Sequence, residues 1–72
     1  MARDVCIRLG VRIRELRKAR GWRQLDLAEQ AGINENYVSD LELGRKEVCL
    51  RTLSMLARAF GIKLDELLSG VD

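Results

Sequence analysis

The stretch 32–44, GINENYVSDLELG, carries polar side chains whose types and spacing suit molecular recognition. At about 100° per residue, Asn36, Ser39 and Asp40 fall on one face of a helix, with Glu35 at the border of that face. Amide, hydroxyl and carboxylate groups donate or accept hydrogen bonds, so this face could bind the polar edges of another molecule. The same stretch holds three carboxylates and no basic residue.

Groups that could make or break covalent bonds are scarce. The chain has no histidine, and its two cysteines, Cys6 and Cys49, are far apart in apolar surroundings. A zinc site needs about four ligands, so no metal site is expected, and both cysteines are interpreted as reduced, buried apolar residues. The sequence contains no phosphate-binding glycine loop. We therefore do not expect an enzyme, a cofactor or a small-molecule ligand.

The charges divide the sequence into three blocks. Residues 1–23 carry eight basic and two acidic side chains, residues 24–44 carry five acidic and no basic ones, and residues 45–72 carry five basic and four acidic ones. Basic flanks around an acidic centre suggest an anionic partner that binds at the edges of that centre. Solvated helix faces would give the same pattern.

The spacing of apolar residues predicts helices throughout, because they recur three or four positions apart and alternate nowhere for long. Five helices are expected. Their ends are placed at or near Gly21, Gly32, Gly44, Gly61 and Gly70. Hydrophobic staples place the starts of the last four helices. The N-caps would then be Arg23, Asn34, Cys49 and Lys63, and only Asn34 is of a type that caps well.

The length of 72 residues predicts one domain, 1–72, with all-α architecture. A chain of this size buries only about 60% of its unfolded surface, and oligomerisation is a common remedy. No apolar run approaches the 18 or so residues of a membrane span, and the first residues do not resemble a signal peptide. A cytoplasmic location without membrane contact is therefore expected.

Residues 24–43 have the pattern of a helix-turn-helix. Ala28 is small where two crossing helices approach closely, and Gly32 can adopt the positive φ of a sharp turn. Val38 and Leu41 would bury the second helix against the first. In this arrangement the second helix enters the major groove of DNA.

The segments IRELRKARGWRQLDLAEQAGINENYVSDLELGRK and LRTLSMLARAFGIKLDELL resemble the DNA-binding domain of the Cro and phage-repressor type, the XRE family. The resemblance covers about residues 9–69. Within the family, NYVSDLELGRKEVCLRTL is similar to the controller proteins of restriction–modification systems. The resemblance implies a five-helix, lambda-repressor-like fold. It also implies a homodimer on a roughly two-fold symmetric operator and control of transcription.

The resemblance implies roles for single residues as well. Gln24 matches a glutamine that binds a DNA phosphate, and Arg17 and Glu42 match a structural ion pair. The positions that match base-reading residues are Glu35, Asn36, Ser39 and Asp40. Asn36 and Asp40 lead this group, because an amide can pair with adenine and a carboxylate can accept from cytosine N4. Glu35 could instead stabilise the start of the helix, because a carboxylate there interacts favourably with the helix dipole. The role of Ser39 is left open.

Further phosphate contacts would come from residues around the recognition helix. These candidates are Arg23, Tyr37, Arg45, Lys46 and Arg51. Tyr37 could equally pack over the turn, and the basic residues could be ordinary surface charges.

The C-terminal region, about residues 58–72, has more apolar residues than one short helix can bury alone. They are Phe60, Ile62, Leu64, Leu67, Leu68 and Val71. We predict that they form a homodimer interface, and simple packing on the fourth helix is the alternative. A dimer would align two recognition helices about one DNA turn apart.

These observations predict a dimeric, sequence-specific transcriptional regulator that binds double-stranded DNA. The acidic centre leaves a second hypothesis open, in which the same fold serves as a protein-binding adaptor or antitoxin.

Overall fold

The computed structural model describes residues 2–72, with side chains from residue 5 onward, and is built from five α-helices. They are α1 (Ala2–Ala19), α2 (Gln24–Ala31), α3 (Glu35–Glu42), α4 (Leu50–Phe60) and α5 (Leu64–Leu67). Residues 2–72 contain no strand. The predicted all-α, five-helix fold is confirmed.

The starts of α2, α3, α4 and α5 are those that the hydrophobic staples predicted, and two of them show how weak N-caps are compensated. The side chains of Arg23 and Lys63 have no acceptor atom, so neither can cap the amides of its own helix. Instead, the carboxylates of Asp26 and Glu66 accept hydrogen bonds from the backbone N–H groups of Arg23 and Lys63, at 2.8 and 3.1 Å. Each acidic residue thus closes the first turn of its helix from inside.

One apolar core lies between the helices and contains twelve buried side chains. They are Leu9, Ile13, Leu27, Ala28, Ala31, Val38, Leu41, Leu56, Ala57, Phe60, Leu67 and Val71. Helix α3 packs against both α1 and α2, α2 packs against α4, and α4 packs against α5. The position of α3 is therefore fixed by two other helices.

The predicted dimer surface needs a correction. Phe60, Leu67 and Val71 are at most 5% exposed within a single chain, so they cannot supply an interface while the chain keeps this packing. For these three residues the prediction is wrong, because α4, α5 and the C-terminal turn cover one another. The half-buried residues Ile62 and Leu64, together with Leu68, are still partly accessible.

The interpretation of the cysteines as buried is wrong for Cys49. Its side chain is exposed at the N-terminus of α4, whereas Cys6 is half-buried, and both thiols are free. A hydrogen bond joins Cys49 Sγ to Thr52 Oγ1 at 3.3 Å. This bond and the Thr52 backbone lower the pKa of the Cys49 thiol.

Several arginines of α1 and its C-terminal turn bind the ends of other helices. Arg12 donates to the carbonyls of Glu66 and Leu67 at 2.7 and 3.2 Å. Arg20 donates to the carbonyl of Phe60 at 2.6 Å, and its guanidinium lies 4.8 Å from the centre of the Phe60 ring. These cations supply hydrogen bonds to carbonyls at the C-terminal ends of α4 and α5, where the intrahelical ladder runs out. Part of the basic charge of residues 1–23 therefore serves the fold.

The described helices include none with the length and apolar character that crossing a membrane requires.

Candidate nucleic-acid interface

Helix α3 has a buried face and an exposed polar face. Val38 and Leu41 lie in the core, at 0% and 2% exposure. Around the other side, Asn36 is exposed, and Ser39 and Asp40 are half-buried. The helix begins at its N-cap, Asn34, whose side chain accepts from the Asn36 backbone N–H at 2.7 Å. The polar face predicted from the sequence is thus fully accessible at Asn36 and partly accessible at Ser39 and Asp40.

Glu35 is exposed at the first position of α3. A carboxylate there is favoured by the helix dipole, and it also borders the polar face. Both roles that the sequence left open are compatible with this position.

The chain reverses directly after α3. Gly44 has a φ of 70°, and the Arg45 backbone N–H donates to the carbonyl of Asp40 at 2.9 Å. This turn brings two cations beside the last turn of the helix. Arg45 Nη1 lies 3.9 Å from Asp40 Oδ1, and Lys46 Nζ lies 3.7 Å from Asp40 Oδ2. Two candidate phosphate contacts and one candidate base contact are therefore adjacent.

Glu42 faces inward and joins three helices. Its carboxylate accepts from Arg17 Nε at 2.6 Å and from Arg17 Nη2 at 3.0 Å, and both side chains are almost completely buried. It also accepts from Gln24 Nε2 at 3.1 Å. Arg17 Nη1 donates to the Trp22 carbonyl at 2.7 Å. The predicted pairing of Arg17 with Glu42 is present, and it extends to the candidate phosphate residue Gln24.

The contact with Glu42 determines how the Gln24 amide is oriented. A carboxylate can only accept, so the NH₂ group of Gln24 must face Glu42 and the amide oxygen must point away. One N–H of the amide is left for a second partner. Gln24 is also the first residue of α2, where free backbone N–H groups favour an anion.

Arg23 lies beside Gln24 and is engaged by Asp26. Its side chain donates to both carboxylate oxygens of Asp26, at 3.0 and 3.2 Å. These bonds raise the pKa of Arg23, and together with the Arg23 backbone N–H they lower the pKa of the Asp26 carboxyl. Because Arg23 is highly exposed, it can exchange this partner for a phosphate oxygen at small cost.

Tyr37 and Arg51 differ from the other candidates in their surroundings. Tyr37 is half-buried and packs against the core, which favours the packing role over an extended reach to a phosphate. Arg51 is exposed on α4, where it lines a groove together with Gln30 and Arg58. The structure thus gathers Arg23, Gln24, Arg45 and Lys46 near the ends of α2 and α3, while Arg51 faces a separate groove.

The sequence pattern did not single out Gly10, which positions α3. A Cβ atom at this residue of α1 would lie 2.5 Å from the backbone oxygens of both Leu41 and Glu42. Only a residue without Cβ allows the end of α3 to approach α1 so closely. The signal available in the sequence was a glycine inside an apolar helical run, where alanine would be the better helix former.

Comparison with known proteins places this geometry in a family. The sequence profile of a family described as helix-turn-helix matches residues 13–67, which include all of α2, α3, α4 and α5. The chain belongs to the helix-turn-helix family. The predicted resemblance to XRE-type domains is confirmed.

Three relatives indicate which members of the helix-turn-helix family are similar. Over 66 residues the chain is 47% identical to the HTH-type transcriptional regulator DdrOP3 of Deinococcus deserti. This alignment covers 92% of the chain and 51% of DdrOP3. It is 33% identical over 70 residues to the control protein C.MunI of a Mycoplasma species, covering 96% of the chain and 95% of C.MunI. The crystal structure of the restriction–modification controller protein C.AhdI from Aeromonas hydrophila superimposes with a TM-score of 0.83 at 39% identity. That match covers 86% of the chain and 94% of C.AhdI.

The lengths of these relatives differ. The chain spans about half of DdrOP3 but nearly all of C.MunI and C.AhdI.

Proposed function

We propose that this chain is a sequence-specific DNA-binding regulator of transcription that acts as a homodimer on a roughly palindromic operator. The observation that carries the proposal is the partly accessible polar face of α3, whose last turn lies beside Arg45 and Lys46 and whose last residue, Glu42, binds Gln24. The similarity of the chain to transcription regulators and controller proteins supports the same function.

The recognition step assigns different tasks to these residues. Asn36 and Asp40 read base edges in the major groove, since an amide pairs with adenine N6 and N7 and a carboxylate accepts from cytosine N4. Gln24, Arg45 and Lys46 contact phosphates, which supply most of the affinity and set the register of the helix. Arg23 joins them when it leaves Asp26.

The homodimer uses the three residues of the predicted surface that are still partly accessible, namely Ile62, Leu64 and Leu68. Sedimentation velocity at increasing concentration tests it, and a species of twice the chain mass is expected. A chain that stays monomeric both free and on DNA would refute this part of the proposal alone.

The adaptor or antitoxin hypothesis has less support in this structure than in the sequence. It rested on the acidic residues of the central block, and three of those five residues have internal cationic partners. Asp26 pairs with Arg23, Glu42 pairs with Arg17, and Asp40 lies beside Arg45 and Lys46. These ion pairs reduce the uncompensated acidic charge that the block offers to a basic protein partner.

Salt dependence is the direct test of phosphate binding. Fluorescence anisotropy with a labelled 30-bp duplex is measured at several sodium chloride concentrations. The logarithm of the affinity is expected to fall linearly with the logarithm of salt, with a slope of about −0.9 for each phosphate neutralised. An affinity that does not change with salt would contradict the assignment.

Replacing Asn36 and Lys46 separately should separate base reading from phosphate binding. Asn36→Ala is expected to remove about 1–3 kcal/mol of discrimination at one base pair, because the amide that distinguishes adenine is lost. Lys46→Ala is expected to weaken all sequences alike and to reduce the salt slope by about 1. Anisotropy on a selected site and on its single-base variants measures both effects.

Lys18→Ala is the matched control for these variants, since Lys18 is an exposed cation on α1. It should change neither the preference nor the slope. An equal loss on every sequence for Asn36→Ala would remove Asn36 from the base-reading residues.

A further inference from the structure

The last turn of α3 holds a carboxylate between two cations that the proposed function assigns to DNA phosphates. Asp40 lies 3.9 Å from the guanidinium of Arg45 and 3.7 Å from the ammonium of Lys46. The backbone bond from Arg45 N–H to the Asp40 carbonyl, made possible by the turn at Gly44, keeps the three residues together. Both cations remain more than half exposed, so solvent and other anions can reach them.

Carboxylate and phosphate oxygens compete for the same cations. A guanidinium or an ammonium that turns toward a phosphate oxygen loses part of its attraction to Asp40, and the carboxylate is brought close to the polyanion. The contacts with Arg45 and Lys46 must therefore weaken when DNA binds, whatever its sequence.

We propose that Asp40 is a specificity-determining residue that competes with DNA phosphates for Arg45 and Lys46. The competition lowers the affinity for every sequence. At a matching site, the released carboxylate gains a new partner, the N4 amino group of a cytosine, and the loss is offset. At other sites it gains none, so the ratio between matching and non-matching affinities increases. This inference rests on the proposed DNA-binding function.

The other acidic residues near α3 are not placed for this competition. Glu42 is buried with Arg17 and Gln24, and Glu35 lies at the opposite end of the helix. Glu47 follows Lys46 directly and is exposed, yet it forms no ion pair with either Arg45 or Lys46 among the described residues. It is therefore the natural control for the charge of Asp40.

The test compares Asp40→Asn with Glu47→Gln, because each raises the net charge by one unit and preserves side-chain size. Affinity for a labelled 20-bp duplex of random sequence is measured by anisotropy at low salt. Asp40→Asn is expected to tighten this binding about three- to tenfold beyond the effect of Glu47→Gln, as the loss of two weak exposed ion pairs implies. The ratio of selected-site to random-site affinity should fall by at least the same factor.

A double-mutant cycle isolates the competition from simple charge. In the Arg45→Ala, Lys46→Ala background, Asp40→Asn should change random-sequence affinity no more than Glu47→Gln does. A gain that persists in that background, or an equal gain from both acidic substitutions in the parent chain, would overturn the inference. Weaker binding to the selected site alone would leave Asp40 as a base-reading residue without the competition. If the unaltered chain binds no DNA, the proposed function fails together with the inference.

Discussion

Arg17→Ala is expected to lower the free energy of unfolding by about 3–5 kcal/mol. The substitution leaves the Glu42 carboxylate buried without its cation, because Arg17 supplies two of the three hydrogen bonds that Glu42 accepts. It also removes the bond to the Trp22 carbonyl, which ties the end of α1 to the start of α2. For a chain of this length the midpoint of thermal unfolding should fall by at least about 12 °C. Circular dichroism at 222 nm measures it.

Lys18→Ala is the control for this loss, since it removes a neighbouring cation that is exposed. Its effect should stay within about 0.5 kcal/mol. Equal midpoints for the two variants would show that the Arg17–Glu42 pair does not stabilise the fold. Because Gln24 shares Glu42, any folded Arg17→Ala protein should also bind DNA more weakly than the parent chain.

Gly10→Ala is expected to destabilise the chain by about 1–3 kcal/mol, although alanine is the better helix former. The added methyl group would meet the backbone oxygens of Leu41 and Glu42 at 2.5 Å, and backbone cannot move aside as a flexible side chain can. Relief requires α3 to shift away from α1, and that shift strains the Arg17–Glu42 contact. Urea unfolding monitored by circular dichroism gives the change in stability.

Val11→Ala provides the comparison at the next residue of α1. Val11 is 50% exposed, so its truncation should change stability by no more than about 0.5 kcal/mol. If Gly10→Ala and Val11→Ala unfold at the same urea concentration, the close approach of α1 and α3 does not restrict residue 10.

The fold was predictable because its local signals agree with one another. Apolar spacing gave the five helices, and glycines such as Gly32 and Gly61 mark ends where φ is positive. Staples located the caps even at Arg23, where the residue type argued against a cap. These are short-range patterns, and each is contained within a few residues of the chain.

Long-range relations were harder to predict. The fit of Gly10 against α3 and the bonds of Arg12 and Arg20 to distant carbonyls join residues far apart in sequence, and no local pattern specifies them. For that reason, the inference of an anionic partner from the charge blocks counted basic residues that instead bind carbonyls within the fold. The prediction of a dimer interface compared the number of apolar residues near the C-terminus with what one short helix can bury. In the structure, several elements together bury Phe60 and Leu67.

The candidate site was predicted in part for the same reason. The polar face of α3 follows from helical spacing, so Asn36, Ser39 and Asp40 could be named from the sequence. The contact of Gln24 with Glu42 and the position of Asp40 beside Arg45 and Lys46 depend on how the helices and the turn pack. Packing thus places two of the three carboxylates in residues 32–44, Asp40 and Glu42, beside cations of the same chain.

The proposed function requires that the exposed face of α3 reads a DNA sequence. Selection of binding sites from a pool of random duplexes, using the purified chain, tests it most directly. Enrichment of one motif is predicted, with two inverted half-sites whose centres are about 10 bp apart, as two recognition helices on one side of the duplex require. Repeated selection that yields no preferred sequence, while the chain is folded, would contradict the claim.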